Sequence, residues 1–426
     1  MTQPKTAIST AMMFYMSAQN ELSARAEDDI DEIKAAGDIS DLALYIMLDT
    51  LDDTTGPGKR ETRVWQIPGG SARGAIGEPE IRPDADAVDN RVFSRFLGEA
   101  ETEFRTYTNK QKILVLWGHG GGMVMLDQER APGQVRSQAT VVDFAEALER
   151  RARAPADAMR FDMIAFDSCY MGVIETMHQF RGISDYALVS STIVDASGYP
   201  YTPIITNLQQ QGKDLVPLAA ARMICKVYND HYQQMGKLKR RYLFCCDTAK
   251  AGSCVHALNN LGKLLSSLFQ TKADADPVRA ALAEALFLAH ETDSYVGILI
   301  FLTKLLGCME AVIPEADFAR LKTDTDALDA AVRDAFTGPL GDTGSIPTSP
   351  LIWAPVNAGE FNSNVVAYAR LDASSSGSGG WISMWRQYHV APPLHMPSVA
   401  IRSKFESSVR PASLLHGAAP RRAPRP

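Results

Sequence analysis

The 426-residue chain has no apolar run approaching the ~20 residues that a membrane-spanning helix needs. Its nearest candidate, "VGILIFLTKLLG", is short and interrupted by Lys304, so no membrane association is expected. It also lacks a basic excess: 43 Lys and Arg stand against 50 Asp and Glu, for a net charge of −7. That balance argues against a general nucleic-acid binder. Cysteine is scarce. The six residues, at 169, 225, 245, 246, 254 and 308, show neither disulfide nor zinc spacing. Reduced thiols in a cytoplasmic protein are the expectation. The opening "MTQPKTAISTAMMFYMSAQNEL" has only a brief apolar run and no small-residue cleavage site. It reads as a first core strand rather than a signal peptide. An EF-hand-like ligand series is missing too. Asp84, Asp86 and Asp89 could bind calcium, but a solvated acidic loop is the simpler reading, and no cofactor is expected. There is no internal repeat, and nothing speaks to an oligomeric state.

What is present is the composition of a globular protein, 46% hydrophobic and 22% charged. Through the first half, continuous apolar runs alternate with amphipathic stretches. The runs are "AMMFYMSA", "LALYIMLD", "TRVWQI", "KILVLWG", "MIAFD" and "YALVSST". Between them lie "ELSARAEDDIDEIKAA", "RVFSRFLGEAETEF", "TVVDFAEALERRA" and "VIETMHQF", with helical spacing. This alternation predicts an α/β fold with a mostly parallel sheet covered on both faces. Residues 1–205 form the predicted core. Residues 206–402 read as mainly helical, completing or packing on that core, with a strand at "RYLFCCD" and a strand pair at "NSNVVAYARLD" and "GWISMWRQYHV". If "RYLFCCD" is a strand, Cys245 and Cys246 point to opposite faces. The Arg/Pro-rich segment 403–426 reads as a disordered tail.

Ligands bind parallel sheets outside the carboxyl ends of the strands. His119 and Cys169 stand there, each just after an apolar run, in "KILVLWGHGGG" and "FDMIAFDSCYMG". A lone cysteine at a strand end is ordinarily core, and a lone Gly-rich loop is weak evidence. The combination carries more. A thiol becomes a useful nucleophile at neutral pH beside a base, which imidazole supplies, and imidazole can later protonate a leaving amine. The N–H groups of Gly120 and Cys169 are candidates for an oxyanion hole.

With "LVLWGHGGG", "IAFDSCYMG", Glu175 and "SSTIVDASGYPYTPI", the chain resembles the clostripain-like (C11) cysteine peptidases of clan CD, mostly over residues 10–310. A His–Cys separation of about 50 residues is also that of caspases. The resemblance implies a caspase-like α/β/α fold and peptide hydrolysis, with Cys169 as nucleophile and His119 as general base and acid. It also implies that Asp167, two residues before the cysteine, lines the S1 pocket. A carboxylate there pairs with Arg or Lys, so protein or peptide substrates with a basic P1 residue are expected. A capping role at the following helix is the plainer alternative for Asp167. Asp195 is a second acid for the pocket, or a turn-forming residue. Arg130 and Arg136, in "DQERAPGQVRSQAT", fall in what reads as an exposed loop and are candidate self-cleavage sites. Two other functions share these residues: an inactive caspase-fold scaffold, and a small-molecule hydrolase using the same Cys-His pair.

Overall fold

Runs of apolar residues without polar interruption become strands buried on both faces. In β1 (Thr6–Ala18) the side chains alternate between two core clusters: Met13 and Tyr15 enter one, Met12, Phe14 and Met16 the other. The computed structural model describes residues 6–390 apart from 38, 53–58, 70–76, 84, 132–133, 154–159, 237–241, 270–274, 293, 339, 343–346, 356 and 376–379.

The other strands of the main sheet are β2 (Leu42–Asp52), β3 (Lys59–Ile67), β4 (Glu80–Arg82), β5 (Tyr107–Trp117), β8 (Phe161–Asp167), β9 (Ser184–Ser190), β10 (Leu243–Asp247) and β12 (Phe336–Thr337). A separate hairpin pairs β6 (Val124–Ala131) with β7 (Gln134–Thr140), and β11 (Tyr295–Gly297) pairs with Leu351–Trp353. The sheet runs β12-β10-β9-β8-β5-β1-β2-β3-β4. Its centre, from β9 to β2, is parallel, and the strands outside it are antiparallel. The expected α/β fold is therefore present, and the C-terminal half of the chain extends the same sheet through β10 and β12. Cys245 and Cys246 do point to opposite faces, one into each cluster.

Helices cover both faces. On one lie α1 (Ser23–Ala35), α5 (Tyr201–Gln211) and α6 (Pro217–Gln234), whose buried residues join Phe14 and Leu44. On the other lie α2 (Asn90–Phe104), α3 (Val141–Ala152), α4 (Ile174–Gln179) and α7 (Ala251–Leu268). That cluster continues through α8 (Ala275–Ala289), α9 (Ile298–Met309) and α10 (Glu315–Ala335). Among the described residues no helix is long and apolar enough to cross a membrane.

The expected C-terminal strand pair is not there. "NSNVVAYARLD" falls in α11 (Ala358–Arg370) and the start of α12 (Asp372–Ser375), and "GWISMWRQYHV" is α13 (Gly380–Val390). Aromatic and β-branched residues suggested strands, but burial decided otherwise. Trp381 and Trp385, four residues apart and hence on one helical face, are both fully buried. The backbone N–H of Trp381 donates to Asn259 Oδ1 on α7 at 2.9 Å, and its indole donates to Trp353 O at 2.7 Å. Gly262 lets the two helices meet, since a Cβ there would sit 2.6 Å from the Trp381 backbone. The expected tail at 403–426 lies outside the described residues.

Candidate active site

After β1 the chain turns to β2 on one side, whereas after β5 it passes to β8 on the other. The strand order therefore switches between β1 and β5, and the carboxyl ends of the strands at such a switch are the usual ligand position. Both candidate catalytic residues lie at the sheet's rim there, just past β5 and β8. Trp117 and Asp167 are register partners on β5 and β8, so His119 and Cys169 each lie two residues beyond a paired position. By strand alternation Trp117 and Asp167 belong to the α1–α5–α6 face. Trp117 is in that face's cluster and Cys169 packs against it.

The two loops touch. A Cβ built on Gly120 would lie 2.8 Å from Ser168 Cβ and 3.0 Å from Cys169 N. Gly120 faces Met125 in an antiparallel bridge flanked by Leu126 N–H to His119 O (2.8 Å) and Gly121 N–H to Val124 O (2.9 Å). Those flanking bonds leave Gly120 with its own N–H directed away from the hairpin. Before the histidine, Gly118 has φ +143°, and a side chain there would meet Ser17 O and Leu126 at 2.9 Å. After the cysteine, Tyr170 takes φ +58°, a left-handed conformation costing about 1–2 kcal/mol for a non-glycine residue. Its N–H is held by Thr192 O at 2.9 Å.

A residue absent from the sequence reading completes the rim. Glu21, in the loop after β1, bonds to His119 Nε2 through Oε1 at 2.8 Å. The His119 contact holds the Glu21 carboxyl below its ordinary range. Glu21 follows Asn20, whose Nδ2 donates to Asp127 O (3.2 Å) and Oδ1 (3.0 Å) on β6 and whose Oδ1 accepts Leu22 N–H at 3.0 Å. The turn carrying Glu21 is thereby tied to the hairpin that follows His119. Burial raises Asp127, with His119 opposing that shift. A lone glutamate beside a helix start carries no sequence signal for such a contact.

Asp167 lies beneath Cys169 and is 5% exposed. Its Oδ2 accepts Tyr201 O–H at 2.7 Å and Tyr199 N–H at 2.9 Å. It does not cap the following helix, which starts at Ile174 after Val173. A second buried acid, also missed in the sequence, stands nearby. Asp29 of α1 accepts Trp117 Nε1–H at 2.6 Å. A Cβ on Gly198 would be 2.7 Å from Asp29 Oδ2 and 3.0 Å from Asp167 Oδ2, so the two carboxyls flank one glycine. Burial pushes both carboxyls upward, and Asp167 adds to the rise at Asp29. Asp29 also lines a cavity of about 380 Å³ with Asp28, Asp31, Glu32, Ala35, Ser197 and Thr202. Asp195 forms the turn that brings Gly198 into place: its Oδ1 accepts Ser197 N–H at 3.2 Å and its O accepts Gly198 N–H at 2.8 Å.

The C-terminal half supports the rim from the other face. Tyr295 O–H donates to Gly121 O at 3.0 Å and accepts Met123 N–H at 3.2 Å. Glu175, fully buried on α4, accepts Trp353 N–H at 3.1 Å and Tyr368 O–H at 3.3 Å. Burial pushes its carboxyl up to about 7.

Arg130 and Arg136 are not in an open loop. They belong to β6 and β7, whose residues pair as far as Ala131 with Gln134. The register nevertheless skips both: Glu129 pairs with Val135, Ala131 with Gln134, and Gln128 with Ser137. Among the described residues no group of three or more His, Cys, Asp or Glu could hold a metal ion. Asp89 caps α2, its Oδ1 accepting Arg91 N–H at 2.8 Å, and Asp86 Oδ1 accepts Val88 N–H at 3.1 Å. Asp84 lies outside the described residues.

The model of the clostripain family of C11 peptidases matches residues 14–303. Clostripain of Hathewaya histolytica is 24% identical over an alignment of 231 residues, and the match covers 47% of this chain and 42% of that protein, so the chain spans less than half of this relative. Among solved structures, a secreted C11 cysteine protease from Bacteroides thetaiotaomicron, in complex with an irreversible peptide inhibitor, is similar with a TM-score of 0.57 and 16% identity. The match covers 88% of this chain and 99% of that one. An inactive zymogen C11 protease from Parabacteroides distasonis gives a TM-score of 0.57 at 17% identity, with the same coverage. At these identities the structures speak for a shared fold. The family match, extending from the first strand through the His119 and Cys169 loops to α9, shows that the chain belongs to the clostripain family of cysteine peptidases.

Proposed function

We propose that the protein is an endopeptidase that cleaves after Arg or Lys through a Cys169–His119 dyad. The observation that carries this reading is the contact between Gly120 and the backbone of residues 168–169, which joins the histidine and cysteine loops at one sheet edge. In the first step His119 takes the thiol proton and the sulfur attacks the scissile carbonyl carbon. The oxygen becomes an oxyanion, stabilised by the N–H groups of Gly120 and Cys169. The C–N bond then breaks, and His119 returns the proton to the departing amine, leaving a thioester. Water, deprotonated by His119, hydrolyses that thioester and frees the acid and the thiol.

Asp167 suits a basic P1 side chain because it lies on the same face as Cys169, two residues or ~6.6 Å back along the strand direction. A guanidinium or ammonium arriving there meets two buried carboxyls, Asp167 and Asp29, and a cation would offset the cost of ionising them that burial imposes. Asp195 contributes by holding the turn that carries Gly198. The test uses fluorogenic Arg, Lys and Asp peptides with wild type, Cys169→Ala and Asp167→Asn. Cys169→Ala should abolish hydrolysis while keeping the circular dichroism of wild type. Asp167→Asn should lower Arg and Lys cleavage at least a hundredfold, since breaking a buried charge pair costs ~3–5 kcal/mol. Full hydrolysis by folded Cys169→Ala refutes the dyad, and an unchanged basic preference in Asp167→Asn refutes the pocket.

A further inference from the structure

We infer that Glu21 is a positioning residue for His119, making a third member of the catalytic constellation from the loop after β1. This rests on the proposed dyad. Three observations support it. The contact is direct, with Oε1 at 2.8 Å from Nε2. Its carrier is fixed, because the Asn20–Ser23 turn is closed by Ser23 N–H to Asn20 O at 3.1 Å and anchored to Asp127 through the Asn20 side chain. The geometry also follows from topology: β1 and β5 are parallel neighbours, and Glu21 and His119 lie just past their carboxyl ends.

The chemistry follows from which nitrogen is engaged. With Nε2–H donating to Glu21, Nδ1 is the nitrogen that exchanges the proton with the thiol. The ring is fixed in that tautomer and orientation, as a general base requires. When the proton moves from Sγ to Nδ1, the imidazolium gains a carboxylate at its far edge. Glu21 accepts the same hydrogen bond before and after and is not itself protonated. It therefore favours the thiolate–imidazolium form over the neutral pair. Charged groups that act on His119 include Glu21 from the β1 loop and Asp127 from β6. The Glu21 side chain is 60% exposed and that of His119 35%, so solvent screens the pair and the effect is moderate.

The test compares wild type, Glu21→Ala and Glu21→Gln by two readouts. One is kcat and KM on Arg peptides across pH. The other is the rate at which iodoacetamide alkylates Cys169, followed by the mass of its peptide. Glu21→Ala should lower kcat about tenfold with KM little changed, and move the basic limb of kcat/KM down by about half a pH unit. It should slow Cys169 alkylation about threefold to tenfold at pH 6, with no change at pH 10, where the thiol is ionised without help. Glu21→Gln keeps a hydrogen-bond acceptor without the charge and should recover part of kcat but not the pH limb. If wild type hydrolyses no peptide, the dyad reading fails, and the alkylation profile alone decides Glu21. If folded Glu21→Ala matches wild type in kcat, in pH profile and in alkylation at pH 6, the assignment of Glu21 is overturned.

Discussion

Two adjacent glycines at the rim should respond very differently to one methyl group. Gly120→Ala would place a Cβ 2.8 Å from Ser168 Cβ, 3.0 Å from Cys169 N and nearer still to Cys169 O. Carbon atoms rest at about 3.5–4.0 Å, so the His119 and Cys169 loops must separate by roughly 0.7 Å or more. Backbone atoms cannot swing aside as a flexible side chain can. The thiol and imidazole would then move apart along the line where the proton travels, and a misplacement of ~1 Å can cost about a hundredfold in rate. Stability should fall by about 1–3 kcal/mol, the usual cost of overpacking. Gly121→Ala is the control: its new Cβ would meet only Val124 O, at 3.8 Å, an ordinary contact. The assay is kcat/KM on the peptides cleaved by wild type, with urea unfolding of each variant. We expect a drop of about a hundredfold for Gly120→Ala and less than threefold for Gly121→Ala. Gly120→Ala within threefold of wild type, folded and with its mass confirmed, would refute the claim that close contact of these loops sets the reactive geometry.

Glu175 makes stability depend on pH. Its carboxyl rises from about 4.5 to about 7 on folding. Its contribution is thus fully present below ~4.5 and is lost as pH rises through 7, an upper bound of roughly 3 kcal/mol. Glu175→Gln keeps an acceptor for Trp353 N–H and should remove that slope, so urea unfolding at pH 5 and pH 8 should give a smaller difference in the variant. Equal slopes would show that Glu175 stays ionised on folding. Self-processing, if it occurs, should cut after Arg130 or Arg136, because the skipped register leaves the backbone at both without a regular ladder partner. Fragment masses from wild type and Cys169→Ala check this, and a fully active wild type that remains one chain would remove the hairpin as an activation switch.

The sequence alone determined what short-range pattern can encode. Apolar runs without alternation marked the strands buried on both faces, and the positions where those runs stop marked His119 and Cys169. Parallel strands must end at a common edge, so two residues just past two strand ends could be read as neighbours. Tertiary structure decided the rest. Glu21 and Asp29 come from the β1 loop and α1, about 90 to 100 residues before His119 and Trp117, and an isolated acid in an acidic helix looks like any solvated one. That Asp195 holds the turn bearing Gly198, through bonds from Ser197 N–H and Gly198 N–H, is likewise a matter of tertiary structure. The arginines at 130 and 136 read as loop residues because Pro and Gly interrupt the run, yet β6 and β7 pair as far as Ala131 and Gln134. The last helices were misread for the opposite reason. Trp381 and Trp385 have a propensity for strands, but Trp381, Ile382, Met384 and Trp385 are all buried, a spacing that one face of a helix carries and one face of a strand does not. Burial of large side chains against a surface built elsewhere in the chain outweighs local preference, and no window of sequence contains that surface.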